Sequence, residues 1–341
     1  MLEATAHGLG HGHFDRLSWM FYDNGGEIVP DYGAARFLNV VQKNGGRYLP
    51  ENKTWAKQTV AHNTLVVDGR SQFGGDRHAA ELSPLEMLCC EMDGTELQIV
   101  AARDMGSYPG VEITRTLAML DLPELDHPLI LDVLDAQSGP GAEGGTHSFD
   151  LPLYYQGQLV ESRPAPSVDG SALAPVGDAH GYQHLWARGR AQVEAGESYA
   201  LTWLKDGRFY THTTVGSSSM DVVLTEVGAN DPHFNLRREP GLLLRVPEAD
   251  QVTFFSVLEP HGQYDGGREF TRRSRSRLTS LAGHRETAPD GTILYVWRLE
   301  LAEGQTVSLA LAPDGDPEAE YSISLPTGEL RWTGTHRFWD Q

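Results

Sequence analysis

Residues 17–31 read LSWMFYDNGGEIVPD, two short apolar runs on either side of Asp23-Asn24-Gly25-Gly26. Asn and Gly accept the positive φ that a tight hairpin demands, so the stretch predicts strand, turn and strand. The same pattern recurs along the chain. Period-two or short apolar runs bounded by Gly, Pro, Asn or Asp fall at 17–22, 27–31, 63–67, 97–101, 111–120, 129–134, 199–204, 222–225, 252–258, 293–299 and 306–312. Long amphipathic helical patterns and fixed-period repeats are missing. The expectation is an all-β chain: a large multi-stranded antiparallel β-sandwich, or supersandwich, over residues 1–341, with a smaller terminal sheet from about 262–341.

Composition fits that reading and narrows the partners. The chain has 341 residues, 40% hydrophobic and 22% charged, as an ordinary globular protein does. No apolar run reaches the roughly 20 residues of a membrane span, so a membrane partner is not expected. The balance of 27 Lys+Arg against 47 Asp+Glu, a formal charge of −20, disfavours nucleic acid and anionic membranes. The charge is unevenly spread, however. Residues 1–62 hold six basic and six acidic side chains, and within 31–62 five basic face two acidic, so an acidic ligand is tolerated there. Cys89 and Cys90 are adjacent, read as small residues facing opposite sides of a strand, and leave the compartment open.

Zinc-protease helices, phosphate loops and nucleophile elbows are missing from the sequence. Polar residues instead crowd into 11–62. On a strand, His11, His13 and Asp15 would project from one face, which then turns apolar at Leu17, Trp19 and Phe21. Such a strand runs out of a core into a site, or simply ends polar.

These segments are also recognisable. HGHFDRLSWMFYDNGGEIVPDYGAARF at 11–37, GGRYLPENKTWAKQT at 45–59 and VAHNTLVVDG at 60–69 resemble the heparinase II/III-like polysaccharide lyases. They are most similar to the oligoalginate lyases of polysaccharide lyase families seventeen and fifteen, and SVLEPHG at 256–262 agrees more loosely. The resemblance implies an N-terminal α/α toroid on a C-terminal β-sandwich, with the active site in the cleft between them. It implies zinc ligands at His13, Asp31 and His62, a catalytic tyrosine at Tyr48, and substrate contacts at His11 and Arg36. Asn63, Trp55 and Tyr32 are further candidates for lining sugar subsites, although aromatics between strands are more often core.

Two imidazoles and a carboxylate suit Zn²⁺, with water completing a tetrahedron. The implied zinc is structural, tying the strands around 11–15, 27–31 and 60–66 together beside the loop with Tyr48. The implied substrate is an acidic oligosaccharide or polysaccharide of the alginate type. Cleaving it by β-elimination requires a neutralised uronate carboxylate, a base for the adjacent C–H and an acid for the leaving oxygen. Tyr48 is assigned proton transfer, preferably as base, and Arg36 can grip a carboxylate bidentately.

The departure from the family is the toroid, which this sequence does not contain. The expectation is therefore the β-sandwich half of an alginate or oligoalginate lyase, weak or inactive without a toroid half. The alternative is a non-catalytic, zinc-stabilised carbohydrate-binding or structural module; a two-carboxylate glycoside hydrolase fits least. The first residues carry no secretory signal pattern. The resemblance nevertheless implies a periplasmic or secreted parent, whose signal would precede the toroid.

Overall fold

A computed structural model of the chain describes residues 1–6, 11–32, 37–41, 45–139, 145–168, 174–228, 233, 235–326 and 328–340. Strand Leu129–Ser138 shows how its core is built. Ile130, Leu134 and Ala136 enter one apolar cluster, while Leu129, Leu131 and Val133 enter a second on the opposite face. Gln251–His261 divides likewise, with Val252, Phe254 and Leu258 on one side and Phe255 and Val257 on the other. Successive side chains on a strand point to opposite faces, so a strand buried on both reads as a continuous apolar run.

These two strands lie at the centre of an eight-stranded antiparallel sheet. Its order is Glu86–Glu91, Leu97–Tyr108, Val111–Leu120, Leu129–Ser138, Gln251–His261, Arg208–Gly216, Ser198–Lys205 and Gln158–Arg163. A five-stranded antiparallel sheet covers one face, in the order Leu185–Val193, Met220–Val227, Glu239–Ala249, His147–Tyr154 and Val66–Val67. A four-stranded sheet of Leu278–Thr287, Ile293–Leu301, Thr306–Leu311 and His336–Asp340 covers the other. A hairpin of Glu320–Leu325 and Gly328–Thr333 closes the outside of that third layer through Tyr321 and Trp332. The all-β sandwich architecture expected from the sequence is what the chain adopts.

Outside the five-stranded sheet lies the irregular segment that positions the site. Tyr32, Phe37, Trp55 and Val60 pack there against Tyr154, Val223 and Leu243. Trp55 and Tyr32 are thus core residues, 0% and 4% exposed, and not sugar platforms. The sole α-helix among the described residues is Arg77–Leu82, capped by Asp76, whose carboxylate accepts from the amides of His78 and Ala79. No helix of the described residues is long and apolar enough to cross a membrane.

The opening hairpin forms as expected, with Phe21–Asp23 paired to Gly26–Val29 and positive φ at Asn24 (50°) and Gly25 (78°). The strand does not extend back to Leu17. Residues 11–18 form no strand, and the chain turns at Arg16 and Leu17, the latter with φ of 59°. The physical reason is competition from side chains. The Arg16 amide donates to Gln72 Oε1 (3.0 Å), and its carbonyl accepts from Gln72 Nε2 (3.0 Å) and Thr64 Oγ1 (2.6 Å). A shared strand face for His11, His13 and Asp15 is therefore corrected. The strand expected at 63–67 shrinks to Val66–Val67 for the same reason, since Asn63 and Thr64 bond to other segments.

Candidate metal centre and active-site loop

The fully buried His62 follows a turn of 3-10 helix, Thr59–Ala61, and its own amide donates to the carbonyl of Thr59 at 3.0 Å. Its Nδ1 lies 2.7 Å from the Asp31 carboxylate and its Nε2 3.0 Å from the carbonyl of Ala56. Both partners are acceptors, so the ring donates from both nitrogens. Burial opposes that charge, yet the Asp31 charge and hydrogen bond, with Asp15 and the Ala56 carbonyl, push the imidazole up to about 9.

His13 and Asp15 complete the group. The His13 ring centroid is 5.2 Å from that of His62. One ligand atom from each of His13, Asp15, Asp31 and His62 lies within 4.8 Å of the others. Burial raises the Asp15 carboxyl to about 6; His62 opposes the rise, while Asp31 and Glu3 add to it. Two imidazoles and two carboxylates gathered from segments that no sheet ladder joins are a donor set that fits Zn²⁺.

Tyr48 ends the 3-10 turn Gly45–Tyr48 and is 72% exposed. The Arg47 guanidinium carbon sits 5.1 Å from the centre of its ring. From Tyr48 the chain passes through a π-helical turn, Asn52–Ala56, whose last carbonyl receives His62 Nε2. The same turn is held from another side, where His184 Nε2 lies 2.9 Å from Thr54 Oγ1 and Gln183 Nε2 donates to the Thr54 carbonyl at 3.3 Å. The buried Glu51 carboxylate, between Tyr48 and that turn, accepts from Asn235 Nδ2 at 2.9 Å.

Of the other sequence-derived residues, His11 is exposed, and Arg36 lies outside the described residues. Asn63 is corrected. It is 0% exposed, and its amide is consumed internally: Nδ2 donates to the carbonyls of Trp19 (3.0 Å) and Pro30 (2.6 Å), and Oδ1 accepts from the Tyr154 amide (2.8 Å). A saturated buried amide has nothing left for a sugar. Its work is to set Pro30, and so Asp31, beside His62.

Beneath this loop system runs a pair that the sequence reading passed over. Arg115, 1% exposed, donates to both oxygens of buried Asp132 (2.9 and 2.7 Å) and to the carbonyls of Leu17 (2.7 Å) and Asn63. It thus pins the segments carrying Asp15 and His62 to the central sheet. The signal was present as an arginine inside the apolar run VEITRTLAML and an aspartate inside the adjacent run LILDVLDA. Asp15 was legible only as a neighbour of the His-Gly-His stretch, because its approach to Asp31 depends on the turn at Arg16 and Leu17. A crevice of about 820 Å³ lined by Arg208, Tyr264, Arg272 and Arg273 contains none of these site residues.

The family model for heparinase II/III-like C-terminal domains matches residues 2–276. An alginate lyase of Stenotrophomonas maltophilia (strain K279a) is 44% identical over 332 residues, 97% of this chain and 43% of that protein. An exo-oligoalginate lyase of Saccharophagus degradans is 41% identical over 333 residues, 97% of this chain and 44% of that protein. The chain therefore spans less than half the length of these curated relatives. Among solved structures, a heparinase III aligns with TM-score 0.59 at 14% identity, covering 91% of this chain and 38% of that one. A heparan sulfate lyase mutant from Pedobacter heparinus aligns with TM-score 0.58 at 13% identity, covering 92% and 39%. At such identities the likeness concerns the fold. The chain belongs to the heparinase II/III-like family, within that family's C-terminal domain.

Proposed function

We propose that this chain is the β-sandwich half of an alginate or oligoalginate lyase, cleaving uronic-acid linkages by β-elimination once an α/α toroid half completes the site. The observation that carries the reading is identity of 44% and 41% to two alginate-acting lyases across 97% of this chain. The exposure of Tyr48 supports the composite character, since proton transfer from carbon is aided by a site that excludes water and here the phenol stands in the open.

In this reading Tyr48 takes the proton from the carbon beside the uronate carboxylate. The C–H electrons form the new C=C as the C–O bond to the leaving sugar breaks, and an acid of the toroid half protonates the departing oxygen. The Arg47 guanidinium packs against the Tyr48 ring, 5.1 Å from its centre, and so helps to orient it. Arg36 and His11 bind uronate oxygens, and the toroid half neutralises the carboxylate so that the proton becomes acidic enough to leave. His13, Asp31 and His62 hold a zinc ion, which when bound ties their segments together without touching the substrate. His62, through Ala56, fixes one end of the turn that follows Tyr48. The parent enzyme would work in the periplasm or outside the cell, where such polysaccharides and their fragments are met.

The test mixes this chain with a separately produced toroid half of the Stenotrophomonas relative and follows the ultraviolet absorbance of unsaturated uronate on alginate oligomers. Product from the mixture and little from either part supports the proposal. Oligomer binding without product in any mixture would instead favour a zinc-stabilised carbohydrate-binding module.

A further inference from the structure

We infer that the crevice lined by Arg208, Tyr264, Arg272 and Arg273 is a second carbohydrate site, gripping the carboxylates of an acidic polysaccharide away from the residues that cleave it. The ligand class, uronates, rests on the lyase reading above. The segment from 262 to 277, GQYDGGREFTRRSRSR, holds five arginines against Asp265 and Glu269, a local charge of +3 in a chain of −20. Like charges gathered on an otherwise acidic protein make a local positive field that an anion relieves.

The SVLEPHG stretch, which the active-site loop does not use, folds this segment into place. The buried Glu259 carboxylate accepts from the amides of Arg277 (2.9 Å) and Leu278 (3.3 Å) and from the Ser276 hydroxyl. Buried His261 donates from Nδ1 to the Arg273 carbonyl (2.9 Å), and its Nε2 lies 2.8 Å from Thr211 Oγ1. Gly262 has a φ of 60°, and a Cβ there would fall 2.1 Å from the Arg273 carbonyl oxygen and 2.5 Å from that of Arg272. The Tyr264 amide then donates to the Gly207 carbonyl at 2.7 Å. That bond docks the hairpin of Gln263–Asp265 and Phe270–Arg272 against the turn before Arg208. Backbone bonds and buried side chains therefore set the walls of the crevice, which encloses about 820 Å³.

Its cations have donors to offer. Arg208 donates from Nη1 to Asp23 (2.6 Å) and Arg273 from Nη1 to Asp126 (2.6 Å), so each of these five-donor guanidiniums keeps N–H groups for an anion. Arg272 has no ion pair among the described residues, and its guanidinium carbon lies 5.4 Å from the centre of the Phe270 ring. Asp206, the other acidic residue of the lining, is paired with Lys205 at 2.5 Å. A planar guanidinium takes a carboxylate by two parallel bonds, which selects uronates over neutral sugars. Tyr264, 45% exposed, adds an aromatic surface for a sugar ring.

Asn24 also lines the crevice and stands seven residues before Asp31. The chain between them spans at most about 25 Å, which bounds the distance from the crevice to the metal centre. A polysaccharide long enough to bridge the two is held at high effective concentration beside the active-site loop, whereas a short oligomer reaches only one of them.

The experiment titrates the full chain with long alginate oligomers by calorimetry. Arg272→Gln/Arg273→Asn removes two crevice charges, asparagine being chosen for the φ of 45° at position 273. Arg268→Gln/Arg275→Gln removes the same charge from exposed positions of the same segment outside the lining. The crevice variant is expected to bind ~10-fold or more weakly, and the control variant within about twofold of wild type. In the assembled halves, the crevice variant should raise KM for long oligomers and leave turnover of alginate trisaccharide unchanged. A wild-type chain that does not bind long oligomers, no loss in the crevice variant, or equal loss in both variants overturns the site. Equal wild-type affinity for dextran sulfate or single-stranded DNA overturns its assignment to uronates. The binding measurements need no catalysis, so crevice binding without unsaturated product from the assembled halves would sink the lyase reading alone.

Discussion

His62 Nε2 donates to the carbonyl of Ala56 across 3.0 Å, while Nδ1 of the same ring faces Asp31 at 2.7 Å. One imidazole therefore joins the acidic cluster to the turn that follows Tyr48. With a metal on Nδ1, the Ala56 bond is what fixes the ring's tautomer and orientation.

The metal-stripped chain should lose stability as pH rises. The His62 pKa is raised from 6.5 to about 9 in the folded chain, so its contribution is fully present below about 6.5 and lost as pH passes through about 9. Asp15, raised from 3.8 to about 6, loses its contribution in the same direction at lower pH. The His62 part is on the order of 3 kcal/mol. Zinc-loaded protein should behave oppositely, since metal binding is favoured by deprotonated ligands. Urea midpoints measured in chelator and in zinc should diverge between about pH 6 and 9. Parallel curves would contradict the assignment of both nitrogens of His62.

Arg115→Met should cost roughly 3–5 kcal/mol, because it strands the buried Asp132 charge and removes the donor to the Leu17 and Asn63 carbonyls. The double variant Arg115→Met/Asp132→Leu should recover part of that loss, as it leaves no lone buried charge. Zinc affinity should remain weakened in both, because the Asp15 and His62 segments have lost their common tether. Denaturation paired with metal titration checks this; unaltered zinc affinity in a folded Arg115→Met chain would exclude the tether.

Asn63→Ala removes two donated bonds and one accepted bond and should cost about 2–3 kcal/mol. Affinity of the remaining folded protein for alginate oligomers should not change. Calorimetric titration showing lost affinity at unchanged stability would return Asn63 to the sugar site.

Much of the fold is legible in the sequence because its determinants are local. The Asn24-Gly25 turn and the two-faced apolar runs at 111–120, 129–134 and 252–258 each carry their own periodicity. The site is less so. His13, Asp31 and His62 do come together, yet spacing alone would not have paired them, since a hairpin and several loops intervene. The error at residues 11–18 arose because Gln72 and Thr64, far along the chain, compete for the Arg16 backbone. Asn63 read as a candidate for a sugar subsite because nothing near it in sequence satisfies its amide; Trp19, Pro30 and Tyr154 do so from three separate segments.

The most direct test is the rate of unsaturated uronate formation by the assembled halves, with wild-type chain and with Tyr48→Phe. Because Tyr48 is 72% exposed, the variant should fold with stability within about 0.5 kcal/mol of wild type and bind zinc equally. The account predicts that it forms essentially no unsaturated product. Product at the wild-type rate from the folded, zinc-loaded Tyr48→Phe pair would contradict it.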